Sequence, residues 1–448
     1  MRLFGTDGIR GTVNYHPMTP ETVLRVGMAV ACLLREKHGR NMILIGKDTR
    51  LSGYLIESAL TSGICSLGMN VTLVGPIPTP AIAFLTRTLR LDAGIVISAS
   101  HNPFEDNGIK IFSSEGLKLP DGLEKRIEEL VQDDKLLKNR PKGTEIGKAY
   151  RLDDATGRYI EYIKSTLPKG FTFEGMKIVI DCANGAAYKT TPLLLRELGA
   201  EVTSLNDKPD GLNINANCGS LHLDSLRKAV RFHKADIGIA HDGDADRTIF
   251  CDERGAVVDG DKVMGMCAVE MKRNKNLKKD TVVSTVMSNL GLEKYLGMND
   301  IKLVRTRVGD RYVVERMLDG GYTLGGEQSG HIIFLGYNTT GDGPLTATQV
   351  LYLMKKRNMS LSKLAKEIKL FPQVLTNVLV EHKYDMKTIP GIQEAIEAAE
   401  KKLAGKGRVL VRASGTEPRI RVMLEGEDLK LISKLAKDIA KVIKEEMT

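Results

Sequence analysis

The 448-residue sequence predicts an α/β protein with three α/β domains, whose sheets are mixed and mostly parallel, and a smaller C-terminal α+β domain. Short apolar runs rich in valine and isoleucine alternate with helical patterns along most of the chain. Such continuous apolar strands are typical of sheets that are buried on both faces. The pattern changes after about residue 367, and a chain of this length is expected to form three or four domains.

The strands of the α/β domains are predicted from the apolar runs. These are "NMILIGKD" (41–48), "NVTLVG" (70–75), "AGIVIS" (93–98), "MKIVIDCAN" (176–184), "ADIGIAHD" (235–242), "TVVSTVMS" (281–288) and "IKLVRTRVG" (301–309). Helices are predicted between them, for example at 54–67, 188–198 and 310–319. Strands joined through helices indicate repeated α/β units. The three units share a plan, although the sequence shows no clean repeat.

The C-terminal segment mixes strands such as "GRVLVRAS" and "RIRVMLEGE" with helices near 391–403 and over 428–446. The last helix is amphipathic, with one apolar face formed by Leu429, Ile432, Leu435, Ile439 and Ile443. The charged stretch 132–148 and the turn signal "DERG" (252–255) mark boundaries further upstream. The predicted domains are residues 1–149, 150–251, 252–367 and 368–448.

Composition excludes several classes of protein. The net charge is +9, but basic and acidic residues alternate and aromatic residues make up only 5%, so nucleic-acid binding is not expected. No apolar stretch approaches the roughly 20 residues that a membrane helix needs. The six cysteines are scattered without a C-x-x-C pair, and no signal peptide precedes "MRLFGTDGIRG". These features predict reduced thiols in a cytoplasmic protein.

The run "AGIVIS" leads into the polar loop "SASHNP" (98–103). Asn102 and Pro103 fix the backbone of a turn, and Ser100 is expected to present its hydroxyl outward. Taken alone, this loop is explained more simply as a turn with a capping serine. No G-x-S-x-G motif surrounds Ser100, so a hydrolase triad is not predicted.

Three aspartates alternate in "AHDGDADRTIF" (240–250), directly after a buried strand. They are Asp242, Asp244 and Asp246. Carboxylates this close repel one another unless a cation neutralises them, and hard oxygen ligands favour Mg²⁺. The longer loop of an EF-hand is missing. A surface Asp-Gly turn is the weaker explanation, and the cluster predicts a metal site.

Two further loops combine glycines with polar groups. In "LGGEQSGHIIF" (324–334), Glu327 and Ser329 suit a polyhydroxylated ligand such as a sugar, although a hairpin turn with polar decoration explains them equally well. In "VRASGTEPRIRVML" (411–424), a Ser-Gly-Thr turn between arginines forms an anion-binding nest, unless it is a glycine turn with solvated arginines. Phosphoryl transfer on a phosphosugar requires a carrier, a metal, a hydroxyl-binding loop and a phosphate site.

The sequence also resembles the α-D-phosphohexomutase family over essentially the whole chain. The motifs are "FGTDGIRG" (4–11), "SASHNP" (98–103), "DGDADR" (242–247), "TVMSNLGLE" (285–293), "VGDRYV" (308–313), "GGEQSGH" (325–331) and "RASGTEPRIRVM" (412–423). The resemblance implies four domains around a central cleft, three of them α/β. It also implies an isomerase that acts as an intramolecular phosphotransferase.

The resemblance assigns roles to individual residues. Ser100 is similar to the phosphoserine that donates and recovers the phosphoryl group, and its oxygen would join Asp242, Asp244 and Asp246 as a ligand of Mg²⁺. The other implied catalytic residues are Arg10, His101, Lys110, Arg247 and His331. The implied substrate-binding residues are Glu327 and Ser329 for sugar hydroxyls, and Arg412, Ser414, Gly415, Thr416 and Arg421 for the non-reacting phosphate. Lys110 and His331 are both candidates for the general base.

Gln328 lies where phosphomannomutase-like relatives typically carry methionine, and an amide can reach a polar C2 substituent. "TVMSNLGLE" and "VGDRYV" also resemble the branch of the family that acts on glucosamine phosphate. We therefore expect interconversion of glucosamine 6-phosphate and glucosamine 1-phosphate through a 1,6-bisphosphate, feeding UDP-N-acetylglucosamine and cell-wall precursor synthesis. Glucosamine or glucose 1,6-bisphosphate is the expected activator.

Two alternatives stay open to test. One is a phosphomannomutase/phosphoglucomutase activity, which uses the same catalytic loops. The other, a non-enzymatic phosphosugar sensor, is disfavoured because Ser100 and the aspartates are all present. The chain departs from the family pattern at Ala413, where proline is usual, and at Arg419, where an apolar residue is expected. No nucleic-acid or membrane partner is expected, and a homodimer is compatible with the resemblance.

Overall fold

The structure, a computed structural model, describes residues 3–5, 7–35, 40–138, 140–380, 389–413 and 419–447. The chain divides into two compact units. Unit 1 comprises residues 1–287 and 300–366, and unit 2 comprises residues 288–299 and 367–448. Among the described residues, no helix combines the length and apolarity needed to span a bilayer.

The first sheet of unit 1 has seven strands within the described part of the chain. They are β1 (Phe4–Gly5), β2 (Gly8–Thr12), β3 (Met42–Lys47), β4 (Asn70–Pro76), β5 (Ala93–Ile97), β6 (Asp106–Ser113) and β7 (Ala149–Arg151), in the order β1-β2-β6-β5-β3-β4-β7. The accompanying helices are α1 (Pro20–Arg35), α2 (Gly53–Ser66), α3 (Thr79–Thr88) and α4 (Asp121–Gln132). Every residue of β5 is buried, as its continuous apolar sequence predicts.

The second sheet follows the same principle with a shorter set of strands. They are β8 (Lys177–Asp181), β9 (Glu201–Leu205), β10 (Ile237–His241), β11 (Thr248–Asp252) and β12 (Val257–Val258), in the order β12-β11-β10-β8-β9. The helices of this part are α5 (Ala155–Ser165), α6 (Thr190–Glu197) and α7 (Asp224–His233). Both β10 and β11 are fully buried, so the loop between them leaves the sheet from its interior.

The third sheet is formed by β13 (Thr281–Thr285), β14 (Lys302–Thr306), β15 (Leu324–Gly326) and β16 (Ile332–Phe334), in the order β14-β13-β15-β16. Its helices are α8 (Gly260–Arg273), α10 (Asp310–Gly320), α11 (Gly343–Arg357) and α12 (Leu361–Lys366). Helix α9 (Leu290–Met298) lies between β13 and β14 in the chain but groups with unit 2.

One four-strand arrangement recurs in all three sheets. Its examples are β6-β5-β3-β4, β11-β10-β8-β9 and β16-β15-β13-β14. In each, three strands are parallel and the outer one is antiparallel. The loop that leads into the antiparallel strand therefore starts at the carboxyl end of a parallel strand, where ligands gather in α/β sheets. These three loops span residues 98–105, 242–247 and 327–331.

Unit 2 has an antiparallel sheet formed by β17 (Gln373–Leu379), β18 (Gly407–Ala413) and β19 (Arg419–Gly426), in the order β17-β19-β18. Its helices are α9, α13 (Pro390–Leu403) and α14 (Leu429–Met447). The predicted fold class is confirmed by these mixed α/β sheets and the small antiparallel C-terminal sheet.

The predicted apolar face of α14 is mostly correct. Four of its five residues are at most 3% exposed and lie in the core of unit 2, namely Ile432, Leu435, Ile439 and Ile443. The assignment of Leu429 to that face was wrong, since this side chain is 54% exposed. Leu429 is the first residue of the helix, and the buried residues of the helix begin only at Ile432.

Candidate active site

Ser100 follows β5 and has a left-handed backbone, with φ of 54°. Its side chain is buried rather than turned outward, and the residue is only 1% exposed. The expectation of an exposed hydroxyl was therefore wrong. The cause is the loop after β10, which covers the serine: Ser100 Oγ donates to Asp242 Oδ2 at 2.6 Å. Residues 142 positions apart in the chain are thereby joined.

The three aspartates of that loop converge in the structure. Asp242, Asp244 and Asp246 are all buried, and one carboxylate oxygen of each lies within 4.8 Å of the others. Burial raises the pKa of Asp242 well above its usual range, and the neighbouring carboxylates of Asp246 and Asp244 raise it further. Asp244 Oδ1 is buried without a hydrogen-bond partner among the described residues. A hard divalent cation fits this set, because it would both neutralise the charge and satisfy the spare oxygens.

Lys110, on β6, places a positive charge against two of the three aspartates. Its Nζ lies 2.8 Å from Asp244 Oδ2 and 3.2 Å from Asp246 Oδ2. Burial alone would lower the pKa of Lys110, but Asp244 and Asp246 raise it well above its usual range. Burial would likewise raise the pKa of Asp246, which Lys110 instead holds well below its usual range. The lysine is therefore an ammonium ion in this arrangement.

His101 and Arg247 border the same loops. Burial lowers the pKa of His101 to about 4, assisted by the positive charges of Arg247 and Arg10. The backbone N–H of Arg247 donates to Asp242 Oδ1 at 3.2 Å, and its guanidinium Nε lies 3.9 Å from Asp246 Oδ1. Two arginines thus place positive charge beside the neutral imidazole of His101.

The opening loop contributes an ion-pair network that the sequence did not reveal. Asp7 pairs with Arg10 and with Lys118, and it lies 3.4 Å from the Lys110 ammonium. Lys118 also bonds Asp310 Oδ2 at 2.5 Å. Asp7 and Asp310 lie inside the quoted motifs "FGTDGIRG" and "VGDRYV", so the motifs contained a signal for them. Lys118 lies outside these motifs, so nothing in the sequence indicated that it belongs to the network.

His331 ends the loop after β15 and is 2% exposed. Its Nδ1 lies 3.7 Å from Asp246 Oδ1, and its Nε2 lies 3.4 Å from Asp310 Oδ2. Burial alone would lower the pKa of His331, but Asp246 and Asp310 raise it. The structure therefore brings His331 against the aspartate cluster, as it does Lys110.

Glu327 and Ser329 lie in the same loop. The backbone N–H of Gly309 donates to Glu327 Oε1 at 3.3 Å, while Ser329 Oγ is buried without a hydrogen-bond partner among the described residues. Gly330 holds the loop against β11: it has φ of +92°, and a Cβ there would lie 2.2 Å from Thr248 O. A buried hydroxyl without a partner suits a ligand that supplies one.

In unit 2, Arg412 and Arg421 are opposite each other across β18 and β19. Burial lowers the pKa of Arg412, and the positive charge of Arg421 lowers it further. Like charges directly opposite one another are destabilising, and an anion between them removes the cost. The predicted residues Ser414, Gly415 and Thr416 lie outside the described residues.

Fold and site together define a class of enzyme. A strand-end serine on a carboxylate cluster, with buried cations beside it, is an arrangement suited to phosphoryl transfer. Four family models match in chain order: phosphoglucomutase/phosphomannomutase alpha/beta/alpha domain I (1–138), domain II (157–255), domain III (259–371) and the C-terminal domain (375–442).

Curated and solved relatives agree with these matches. A phosphoglucosamine mutase of Thermodesulfovibrio yellowstonii is 57% identical over 433 residues, which cover 96% of each chain. The structure of a phosphoglucomutase/phosphomannomutase family protein from Burkholderia thailandensis has a TM-score of 0.83 at 22% identity, covering 99% of this chain and 97% of that one. Aspergillus fumigatus N-acetylphosphoglucosamine mutase, solved with GlcNAc-6P and magnesium, has a TM-score of 0.68 at 18% identity, covering 100% and 96%.

The chain belongs to the phosphoglucomutase/phosphomannomutase family, the α-D-phosphohexomutases. The predicted family is therefore confirmed, and so is the predicted class of enzyme, an isomerase that acts as an intramolecular phosphotransferase.

Proposed function

We propose that the protein interconverts glucosamine 6-phosphate and glucosamine 1-phosphate through a phosphoserine at Ser100 and a 1,6-bisphosphate intermediate. The observation that carries this proposal is the 2.6 Å hydrogen bond from Ser100 Oγ to Asp242 Oδ2, which places a strand-end hydroxyl on a cluster of three carboxylates. The choice of glucosamine rests on the phosphoglucosamine mutases, at 57% identity in the case of T. yellowstonii.

Mg²⁺ is the proposed metal, held by Asp242, Asp244 and Asp246 together with an oxygen of the Ser100 side chain. The chemistry of these ligands supports the assignment. All of them are hard oxygen donors, the three carboxylates converge, and Asp244 Oδ1 has no hydrogen-bond partner among the described residues. Bound there, Mg²⁺ would offset the negative charge that develops on the serine oxygen during transfer.

The phosphoryl group moves twice. In the first transfer, the bond between Ser100 Oγ and phosphorus breaks while the C1 hydroxyl oxygen of glucosamine 6-phosphate bonds to phosphorus and loses its proton. In the second, the C6 oxygen of the bisphosphate gives up its phosphoryl group to Ser100 Oγ and regains a proton. The enzyme returns to its phosphorylated form, and glucosamine 1-phosphate leaves. A hexose 1,6-bisphosphate can therefore act as activator by phosphorylating Ser100.

We assign exchange of the sugar hydroxyl proton to Lys110 or His331, which remain alternatives. Mg²⁺ bound to the aspartates would reduce the negative charge that favours the protonated form of either side chain. Both side chains lie against the aspartate cluster, at 2.8 Å from Asp244 for Lys110 and 3.7 Å from Asp246 for His331. Arg10, Arg247 and His101 surround the loop of Ser100 and are proposed to bind and orient the phosphoryl oxygens. The two arginines would oppose the negative charge that builds up on those oxygens, while the neutral imidazole of His101 could donate a hydrogen bond to them.

Sugar hydroxyls are proposed to bind Glu327 and Ser329. The unpartnered Oγ of Ser329 is the supporting feature, since a ligand hydroxyl would satisfy it. The phosphate that does not react is assigned to Arg412, Ser414, Gly415, Thr416 and Arg421 of unit 2. The supporting feature there is the cross-strand pairing of Arg412 with Arg421, which favours an anion.

Cellular context completes the proposal. All six cysteines are free thiols, which suits the reducing cytoplasm. The product would feed UDP-N-acetylglucosamine and cell-wall precursor synthesis. The partner is a small phosphosugar rather than a nucleic acid or a membrane, a homodimer remains a prediction, and so do the domain boundaries at 149, 251 and 367.

A substrate panel tests the proposal. We expect kcat/KM for glucosamine 6-phosphate to exceed the values for glucose 6-phosphate and mannose 6-phosphate, each primed with a hexose 1,6-bisphosphate. One polar contact at C2 supports a difference of about 1–3 kcal/mol, so residual glucose activity is expected. If glucose or mannose phosphate is the better substrate, the protein is a phosphomannomutase/phosphoglucomutase instead.

A further inference from the structure

Arg50 lies beneath the loop that carries Ser100 and is 1% exposed. Its two Nη atoms donate to three backbone carbonyls of the loop, those of Ser100 (3.0 Å), Asn102 (2.9 Å) and Pro103, and to the carbonyl of Asp106 (3.0 Å), the first residue of β6. A guanidinium group presents its donors in a rigid planar fork, so four acceptors on one fork fix the path of the backbone between them. No other side chain in the described residues is shown with as many bonds to this loop.

A second chain of hydrogen bonds links Arg50 to the amide of Ser100. Arg50 Nε donates to Asp48 Oδ2 at 2.8 Å, and Ser98 Oγ donates to the same oxygen at 2.5 Å. Ser98 Oγ in turn accepts the backbone N–H of Ser100 at 2.9 Å. Asp48, Arg50 and Ser98 are all at most 1% exposed, so each of these bonds is protected from water.

The segment that follows β9 and precedes the aspartate loop holds the same carbonyls from elsewhere in the chain. Asn215 Nδ2 donates to Ser100 O at 2.9 Å and to Asn102 O at 3.0 Å. The carbonyl of Ser100 thus receives one bond from Arg50 and one from Asn215. These restraints hold Ser100 at a φ of 54°, a conformation that costs a residue with a Cβ about 1–3 kcal/mol.

We infer that Arg50 is a positioning residue for phosphoryl transfer, acting through the loop carbonyls and through Asp48 and Ser98 on Ser100. The inference rests on the proposed function of Ser100. In this arrangement the left-handed backbone directs Oγ onto Asp242, and relaxing it would move Oγ away from the carboxylates. A misplacement of about 1 Å can cost a reaction about 10²-fold without affecting ligand affinity to the same degree.

The test compares Arg50→Lys, Ser98→Ala and Asn215→Gly with the parent protein. Lysine keeps the charge but not the fork, alanine breaks the link to the Ser100 amide, and glycine removes the amide of Asn215 while tolerating its positive φ of 58°. We expect kcat to fall about 10- to 100-fold for Arg50→Lys and by smaller factors for the other two. KM should stay within about three-fold of the parent value.

Lys47→Met is the matched control. Lys47 is a buried cation at the end of β3, three residues before Arg50, but its ammonium pairs with Glu57 at 2.6 Å rather than with the Ser100 loop. It should lower the unfolding temperature while leaving kcat within two-fold of the parent. An equal loss of kcat in Lys47→Met, or full kcat in all three test variants, would overturn the positioning role.

Hydrogen–deuterium exchange separates this inference from the proposed function. The peptide that covers residues 97–110 should exchange faster in Arg50→Lys and Ser98→Ala than in the parent. In Lys47→Met its exchange rate should equal that of the parent. Unchanged exchange in Arg50→Lys would show that Arg50 does not hold the loop, whatever the activity. A parent protein that turns over substrate without phosphate on Ser100 would overturn the proposed function, while the exchange result would still decide whether the loop is held by Arg50.

Discussion

Ser100 combines two properties: it is buried, and its φ is positive although it is not a glycine. Its hydroxyl donates to Asp242, so the side chain is part of a buried polar network. Strain of this kind persists only when the surrounding structure holds it, and it concentrates at functional sites. The residue-level geometry therefore connects the backbone of the loop directly to the chemistry proposed for it.

Ser100→Ala should abolish turnover and phosphate incorporation. The loss of one buried hydrogen bond to Asp242 should lower the free energy of unfolding by about 1–3 kcal/mol, so the protein should still fold. Steady-state assays, intact mass and peptide mapping check both parts, with the exposed Ser58→Ala as control. A phosphate mapped to Ser98, or an active Ser100→Ala protein, would contradict the assignment.

Asp242→Asn should lower kcat by at least about 10²-fold, comparable to losing one transition-state stabiliser. In chelator, its unfolding temperature should equal or exceed that of the parent, because one of three mutually repelling carboxylates has been removed. Addition of Mg²⁺ should raise the unfolding temperature of the parent but not that of the variant. Thermal unfolding with and without Mg²⁺ measures this, and undiminished parent activity in metal-free buffer would refute the site.

At the scale of elements, the strands that form the sheet centres could be predicted from the sequence. The run at 93–98 became β5 at 93–97, and the run at 281–288 became β13 at 281–285. Their burial on both faces requires continuous apolar sequence, which is a local signal. Two strands lack that signal for different reasons: β7 is exposed and pairs with β4 almost 80 residues earlier, whereas β12 pairs with the neighbouring strand β11 but is only two residues long. The grouping of α9 with unit 2 was not predicted either, because it depends on contacts with residues far along the chain.

A variant of Gly330 tests whether the loop after β15 packs closely against β11. Gly330→Ala places a Cβ 2.2 Å from the Thr248 carbonyl at a φ of +92°, so it should destabilise the protein by at least about 2 kcal/mol and impair turnover. Gly336→Ala is the matched control, because a Cβ there meets nothing within 4 Å. Denaturant unfolding of both variants decides the matter, and equal stability of the two would contradict the close approach.

At the scale of the whole molecule, the site residues that could be predicted were those whose chemistry is concentrated in one short segment. The three aspartates lie within five residues, so their repulsion was visible without a fold. The pairing of Lys118 with Asp310 joins residues 192 positions apart, and that of Asp7 with Lys118 joins residues 111 apart. The burial of Ser100 failed as a prediction for the same reason, since a loop 142 residues later covers it.

Arg421→Ala should weaken binding of both glucosamine monophosphates and of the bisphosphate, because every intermediate of the cycle presents one non-reacting phosphate. The expected loss is roughly 1.5–3 kcal/mol, typical of a charge-assisted hydrogen bond. Calorimetric titration measures the affinities, with the exposed Lys402→Ala as control. Equal affinity in variant and parent would show that residues 412–421 form a turn without a role in phosphate binding.

The recurring four-strand arrangement has a consequence for how this chain could have come about. The same hairpin connection carries a serine in the first sheet, carboxylates in the second and, in the third, the glutamate and serine proposed to bind sugar hydroxyls. Three copies of one ancestral module could diverge at a single turn each while their strands continued to be selected only for burial. Division of labour among duplicated modules would then leave shared topology without shared sequence, and the turns would be the natural segments to exchange between relatives when new specificities are built.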